Sequence, residues 1–198
     1  MNLALFDFDD TITTREVFRP FLAVAVAPHR IAIARVVLAP VGLGYRLGLI
    51  SGAFVRACII RFGFTGVALA DLQATGRDFA DATLPSVMRP EALARLDWHR
   101  AQGDRIVVVS GSLDLYLAHW CEERGIELIC SSLEHRNGRL TGRYEGEQCF
   151  GLEKARRVRA AYDLAAFPVI YAYGDSKDDL DMIGLAHKKF YQWKEVQA

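Results

Sequence analysis

Leu3-Ala4-Leu5-Phe6-Asp7-Phe8-Asp9-Asp10 is an apolar run that closes on acids. A short run of this kind reads as a buried strand. Working outward, the form recurs twice. Residues 105–109 (RIVVV) precede Ser110-Gly111-Ser112, and residues 169–173 (VIYAY) precede Gly174-Asp175-Ser176-Lys177-Asp178-Asp179. Helical patterns over 90–102, 112–124, 151–164 and 177–186 separate these runs. Further strands are expected at 126–130 and 189–193, with a hairpin at Asn137-Gly138. Strands alternating with helices make an α/β fold, a mainly parallel sheet covered on both faces. Residues 15–85 break the alternation. They read as three or four helices, with breaks near Pro28, Ser51 and Thr65, inserted after the first strand. The expected division is 1–14 with 86–198 as the sheet-bearing core, and 15–85 as a helical cap.

Ligands of open α/β sheets bind beyond the carboxyl ends of the strands. All three polar clusters therefore meet at one edge. Asp7, Asp9, Asp175, Asp178 and Asp179 crowd there, and so many carboxylates do not all stay ionised without a cation. Oxygen ligands without His or Cys suit a hard ion, and Mg²⁺ fits best. Ser110-Gly111-Ser112 at the start of a helix offers hydroxyls and a dipole end to a phosphate. Each piece alone has a plainer account: a strand end, a helix cap, an ordinary helix lysine at Lys154. Their joint occurrence at strand ends is what points to phosphoryl chemistry.

These residues resemble the haloacid dehalogenase superfamily, and the match covers nearly the whole chain. Asp7-Phe8-Asp9-Asp10-Thr11 is similar to its first motif, DxDxT. Ser110-Gly111-Ser112 is similar to the second, Lys154 to the third, and Gly174-Asp175-Ser176-Lys177-Asp178-Asp179 to the fourth. The helical insert and Arg139-Leu-Thr-Gly142 resemble the phosphoserine phosphatase-like subgroup, a branch also similar to phosphatidylglycerophosphatase C. The resemblance implies a Rossmann-like three-layer core with a helical cap. It implies Asp7 as nucleophile, Asp9 as general acid and base, and Ser110 and Lys154 on the phosphoryl oxygens. Mg²⁺ would be held by Asp7, the Asp9 carbonyl and Asp175, with Asp178 or Asp179 oriented around its waters. Gly111, Ser112, Glu16, Arg56 and Asp178 are the expected substrate contacts. Ser112 departs from a usual glycine. The arginine that grips a serine carboxylate has no clear counterpart, although Arg56 and Arg61 lie near its place.

The 198 residues carry 24 Lys+Arg against 24 Asp+Glu, which speaks against a nucleic-acid binder. Cys58, Cys121, Cys130 and Cys149 form no CxxC pair and fit reduced thiols in the cytoplasm. Acids interrupt the apolar start, so no signal peptide is expected, and charges and prolines break the region 18–50, so no spanning helix is expected. The expected function is Mg²⁺-dependent hydrolysis of a small phosphorylated metabolite. The alternatives are a membrane-surface phospholipid-headgroup phosphatase and a non-catalytic binding protein, the latter disfavoured by competent residues at all four motifs. Apolar residues on helices ordinarily face a core. Phe18, Phe21, Ile31, Ile33, Val36, Val37, Leu38 and Leu43 are therefore expected to pack within the cap. Their facing outward, beside Arg30, Arg35 and Arg46, would instead suit anionic lipid.

Overall fold

A computed structural model describes residues 1–196. After β1 (Leu3–Phe6) come five helices: α1 (Phe18–Ala25), α2 (Pro28–Val37), α3 (Ala39–Arg46), α4 (Gly52–Phe64) and α5 (Leu69–Thr83). There follow α6 (Pro90–Ala101), β2 (Arg105–Leu113), α7 (Asp114–Glu122), β3 (Glu127–Ser131), β4 (Leu133–Arg136), β5 (Arg139–Tyr144) and α8 (Leu152–Ala161). The chain closes with β6 (Ile170–Gly174), α9 (Leu180–Ile183), β7 (Lys188–Tyr191) and β8 (Lys194–Val196). Six strands form one sheet in the order β3-β2-β1-β6-β7-β8, and β4 pairs with β5 apart from it. All pairings in the large sheet are parallel except that of β8.

The central strand is apolar on both faces because both faces are covered. Ala4 and Phe6 join one buried cluster with Leu96 of α6 and Leu115 and Trp120 of α7. Leu3 and Leu5 join the opposite one with Val158 of α8 and Met182 of α9. The three layers are thus helices, sheet and helices. Phe21, Phe64 and Phe79, from α1, α4 and α5, belong to the same cluster as Phe6 and Phe8. Gly76 of α5 lets that helix touch α7, since a Cβ there would lie 2.0 Å from the Leu115 carbonyl oxygen. Helices α1, α4 and α5 are therefore seated on the sheet's own core.

Four expectations change. The interval after β1 holds five helices, since Pro40 starts a new helix at Ala39 directly after α2. Residues 110–113 continue β2, with a register shift against β3, and α7 starts only at Asp114. Residues 177–186 make a 3₁₀ turn at Lys177–Asp179 before the short α9. A second hairpin, at Gln192-Trp193, joins β7 to β8, both turn residues having positive φ.

The packing expected for the cap's apolar residues is only half right. Phe18 and Phe21 are buried, and Ile31 and Leu38 are partly so. Ile33, Val36, Val37 and Leu43 face out.

Candidate active site

The sheet sets the geometry first. Phe6 of β1 stands level with Val108 of β2 and Tyr173 of β6. β1 and β6 end within a residue of this level, while β2 runs on beside them to Leu113, so the ends of β1 and β6 open next to the extension of β2. The Asp7 N–H bonds the Tyr173 carbonyl at 2.9 Å, so Asp7 leaves the sheet in a fixed direction.

Beyond it the chain turns tightly. Asp10 adopts φ 59°, a conformation that Asp tolerates better than most residues. The turn is fastened from several sides. Thr13 donates to the Phe8 carbonyl, Arg89 reaches the Asp10 carbonyl at 2.9 Å and that of Thr11 at 3.2 Å, and Trp193 Nε1 also donates to Thr11. Arg89 and Trp193 were not singled out from sequence. They lie far along the chain, and only the fold brings them here.

Lys154 rises from the first turn of α8 into the buried space under Asp7. Its Nζ donates to Asp7 Oδ1 at 2.5 Å and to Asp179 Oδ1 at 2.6 Å. The other oxygen of Asp179 accepts from the Asp175 and Ser176 N–H groups and from the Ser176 hydroxyl. Asp179 thus ties the lysine to the loop after β6. Gly174 makes room for it, since a Cβ there would stand 2.5 Å from that of Asp179. Asp175 accepts from the Thr11 hydroxyl at 3.3 Å. Asp7, Asp175 and Asp179 each offer an oxygen within 4.8 Å of the others. Asp178 is exposed and lies outside this group, so of the two acids left open by sequence it is Asp179 that turns inward.

The electrostatics follow from burial. Desolvation pushes the Asp7 carboxyl up to about 8; Lys154 opposes the shift, and Asp179 and Asp9 add to it. Asp175 is raised to about 6, by burial and then by Asp179 and Asp10. Lys154 stays charged, because its two carboxylate partners outweigh its own desolvation. One ammonium therefore does not offset the acids gathered here. The donor set of hard oxygens, crowded and under-neutralised, fits a divalent ion such as Mg²⁺.

A fourth acid faces the cap. Asp9 accepts from the Val17 N–H at 2.8 Å with one oxygen and from the Ser112 hydroxyl with the other. Burial raises its pKa, while these two donors hold it down. Ser110 is fully buried and accepts from the Ser112 N–H. Because residues 110–113 extend β2, no helix dipole points at the edge from Ser110; the polar groups there are the hydroxyls and the main chain. Gly111 is held close to Phe150, whose ring a Cβ would meet at 2.1 Å.

Glu16 and Arg56 pair at 3.2 Å across the entrance. The Arg56 guanidinium lies between two rings, 4.3 Å from Phe18 and 4.8 Å from Phe150. Its other terminal nitrogen and the Tyr144 hydroxyl are buried without a hydrogen-bond partner. Burial raises the Glu16 pKa, Asp9 adds to it, and Arg56 opposes it. Beside this pair a cleft of about 420 Å³ runs out past Phe18, Val55 and Ile59 to Tyr45 of α3. Arg61, on the other side of α4, instead lies against Gly142 of the hairpin. Neither Phe150 nor Tyr144 was singled out from sequence, where both read as ordinary aromatic residues.

Residues 4–184 match the model of the haloacid dehalogenase-like hydrolases. The chain belongs to that family. It is 31% identical over 196 residues to Protein CicA of Caulobacter vibrioides, across 96% of this chain and 85% of that protein. Among solved structures, a protein of unknown function from Bordetella pertussis Tohama I superposes with a TM-score of 0.80 at 24% identity, over 95% of this chain and 88% of that one. A substrate-bound phosphoserine phosphatase superposes with a TM-score of 0.67 at 18% identity, over 96% and 85%. A phospho-aspartyl intermediate analogue of phosphoserine phosphatase does so at 0.66 and 18%, over 98% and 94%. In this haloacid dehalogenase-like hydrolase, Asp7 at the end of β1, Asp175 and Asp179 after β6 and Lys154 of α8 gather at one site.

Proposed function

We propose that this hydrolase is a Mg²⁺-dependent phosphomonoesterase that works through a phospho-aspartate at Asp7. The observation that carries the reading is the placement of Asp7. It stands at a strand end, paired with a buried lysine and within reach of two further carboxylates. The fold shared with a phosphoserine phosphatase seen as a phospho-aspartyl intermediate analogue supports the same chemistry.

The Asp7 carboxylate attacks phosphorus, an acyl phosphate bond forms, and the bond to the leaving oxygen breaks. Asp9 gives its proton to that oxygen. Burial raises its pKa, the direction that favours a proton-bearing acid. The resulting Asp9 carboxylate then takes a proton from water, whose oxygen attacks the phosphoryl group, releasing phosphate and the Asp7 carboxylate. Ser110 and Lys154 hold the phosphoryl oxygens. Asp7 and Asp175, with the Asp9 carbonyl, are the residues to hold Mg²⁺, and Asp179 orients Lys154 and the Asp175 loop. Bound there, the ion supplies the charge that keeps Asp7 ionised and offsets the phosphate dianion.

The Glu16–Arg56 pair faces the leaving group, and Ser112 sets the direction of Asp9. A small phosphorylated metabolite is the substrate class we assign. Four unpaired cysteines, three of them buried, suit a reducing cytoplasm. The test is hydrolysis of an aryl phosphate by the purified chain. Activity is expected to vanish in EDTA and to return with Mg²⁺. Hydrolysis that persists in EDTA, or returns with Zn²⁺ alone, would overturn the reading.

A further inference from the structure

The charges of this chain are unevenly placed. Residues 17–70 contain six arginines and no lysine, aspartate or glutamate, so all 24 acidic residues of a chain with zero net charge lie elsewhere. At the centre of this span stand α2 and α3, which pack on each other and have no buried residue. Ile33, Val36, Val37, Leu43, Leu47 and Leu49 are between 52% and 78% exposed. Positions 33, 36 and 37 share one face of a helix. The other side of α2, with Ile31, Ala34 and Leu38, lines a crevice against α1 and α4. The inward face of α2 is thus already supplied; Ile33 borders a further crevice beside Arg30 and Phe62, while Val36 and Val37 line none of these crevices and stand 75% and 54% exposed.

The arginines divide in the same way. Arg30 turns inward and donates to the carbonyls of Gly63 at 2.9 Å and Thr65 at 3.0 Å. Arg46, in the last turn of α3, is exposed beside Leu43, Leu47 and Leu49, and Arg35, in the last turn of α2, is exposed at the rim of the crevice that Ile31, Ala34 and Leu38 line. Exposed aliphatic residues interleaved with arginine and free of acid match a headgroup layer that is apolar beneath and anionic above. A second copy of the chain suits this face less well, because a two-fold contact would set the same arginines against each other. No helix among the described residues is long and apolar enough to cross a membrane. We propose that the α2–α3 face docks the protein peripherally on anionic lipid bilayers. Tyr45 of α3 lines the cleft that leads to Glu16 and Arg56, so that cleft opens at the edge of the docked face.

The test is flotation of the full chain with vesicles of phosphatidylcholine, alone or mixed with anionic phosphatidylglycerol, beside turnover of a soluble aryl phosphate. Binding is expected to the mixed vesicles, with little to the neutral ones, and to fall as salt screens the arginines. Val36→Glu with Leu47→Glu, at exposed positions, should weaken binding by about tenfold or more. Arg35→Ala with Arg46→Ala should weaken it by about thirtyfold at low salt. Aryl phosphate turnover should be unchanged in both, since none of these residues touches the site. Flotation by a chain that lacks aryl turnover would uphold docking while rejecting the phosphatase reading. Equal binding to neutral and anionic vesicles, no binding, or binding indifferent to the glutamates would overturn the proposal. So would a dimer that the glutamates dissociate, which would make a second copy the occupant.

Discussion

Replacing Lys154 by Met keeps most of the length of the side chain and removes its charge. The ammonium is 2% exposed and makes two short bonds, at 2.5 Å to Asp7 and 2.6 Å to Asp179. Removing one partner of a buried ion pair costs about 3–5 kcal/mol, because the remaining charge is left without compensation. For a domain of this size each kcal/mol lowers the midpoint by roughly 2–4 °C, so Lys154→Met should lower Tm by about 6–20 °C. The carboxylates then have only a cation or a proton to offset them. Added Mg²⁺ should therefore raise Tm more in the variant than in the wild type. Turnover should fall by about 10²–10³-fold, the usual cost of a donor to a developing phosphoryl or oxyanion charge. Calorimetry with and without Mg²⁺, beside aryl phosphate kinetics, reads all three. A variant with wild-type Tm in EDTA and wild-type turnover would refute the reasoning.

Two further outcomes are expected. Ser112→Ala removes the hydroxyl donor to Asp9 and leaves that of Val17; it should raise the Asp9 pKa and move both limbs of the pH–rate profile upward, and an unchanged profile would show that Ser112 does not tune Asp9. His99 is buried between Asp104 at 2.8 Å and the Tyr173 hydroxyl at 3.0 Å, with Arg95 nearby; burial outweighs Asp104 and lowers its pKa. The unfolded chain then gains a proton at His99 that the folded chain refuses, so stability should decline as pH falls below about 6.5 toward the lower folded value. Urea unfolding at about pH 7.5 and about pH 5.5 should show that decline shrinking in His99→Gln; an undiminished decline would assign it to other groups.

The parts of the site that sequence reveals are those whose physics is local. An apolar strand that ends on acids says both where it lies and where its acids emerge, and this was enough to bring Asp7, Asp9 and Asp175 to one edge. The choice between Asp178 and Asp179 needed the 3₁₀ turn after Ser176, whose capping box turns Asp179 inward. Ser110 to Leu113 resembled a helix start because serine and glycine favour caps, yet pairing with β3 keeps the segment extended. The hairpin at Gln192-Trp193 carries no Asn-Gly signal, and its positive φ at Trp193 accompanies contacts of that ring with Tyr173 and Thr11. The outward face of α2 was legible as a stripe but not as an exposed one. Periodicity shows that apolar residues share a face, and only the neighbours show what that face meets.

Chemical trapping of the enzyme during turnover tests the central claim most directly. The chain is quenched with acid while hydrolysing an aryl phosphate in Mg²⁺, digested, and its peptides are mapped for phosphate by mass spectrometry. The account predicts one acid-stable, hydroxylamine-labile phosphate on the peptide that contains Asp7, absent from the folded but inactive Asp7→Asn variant. Phosphate on another residue, or full turnover by Asp7→Asn, would contradict it.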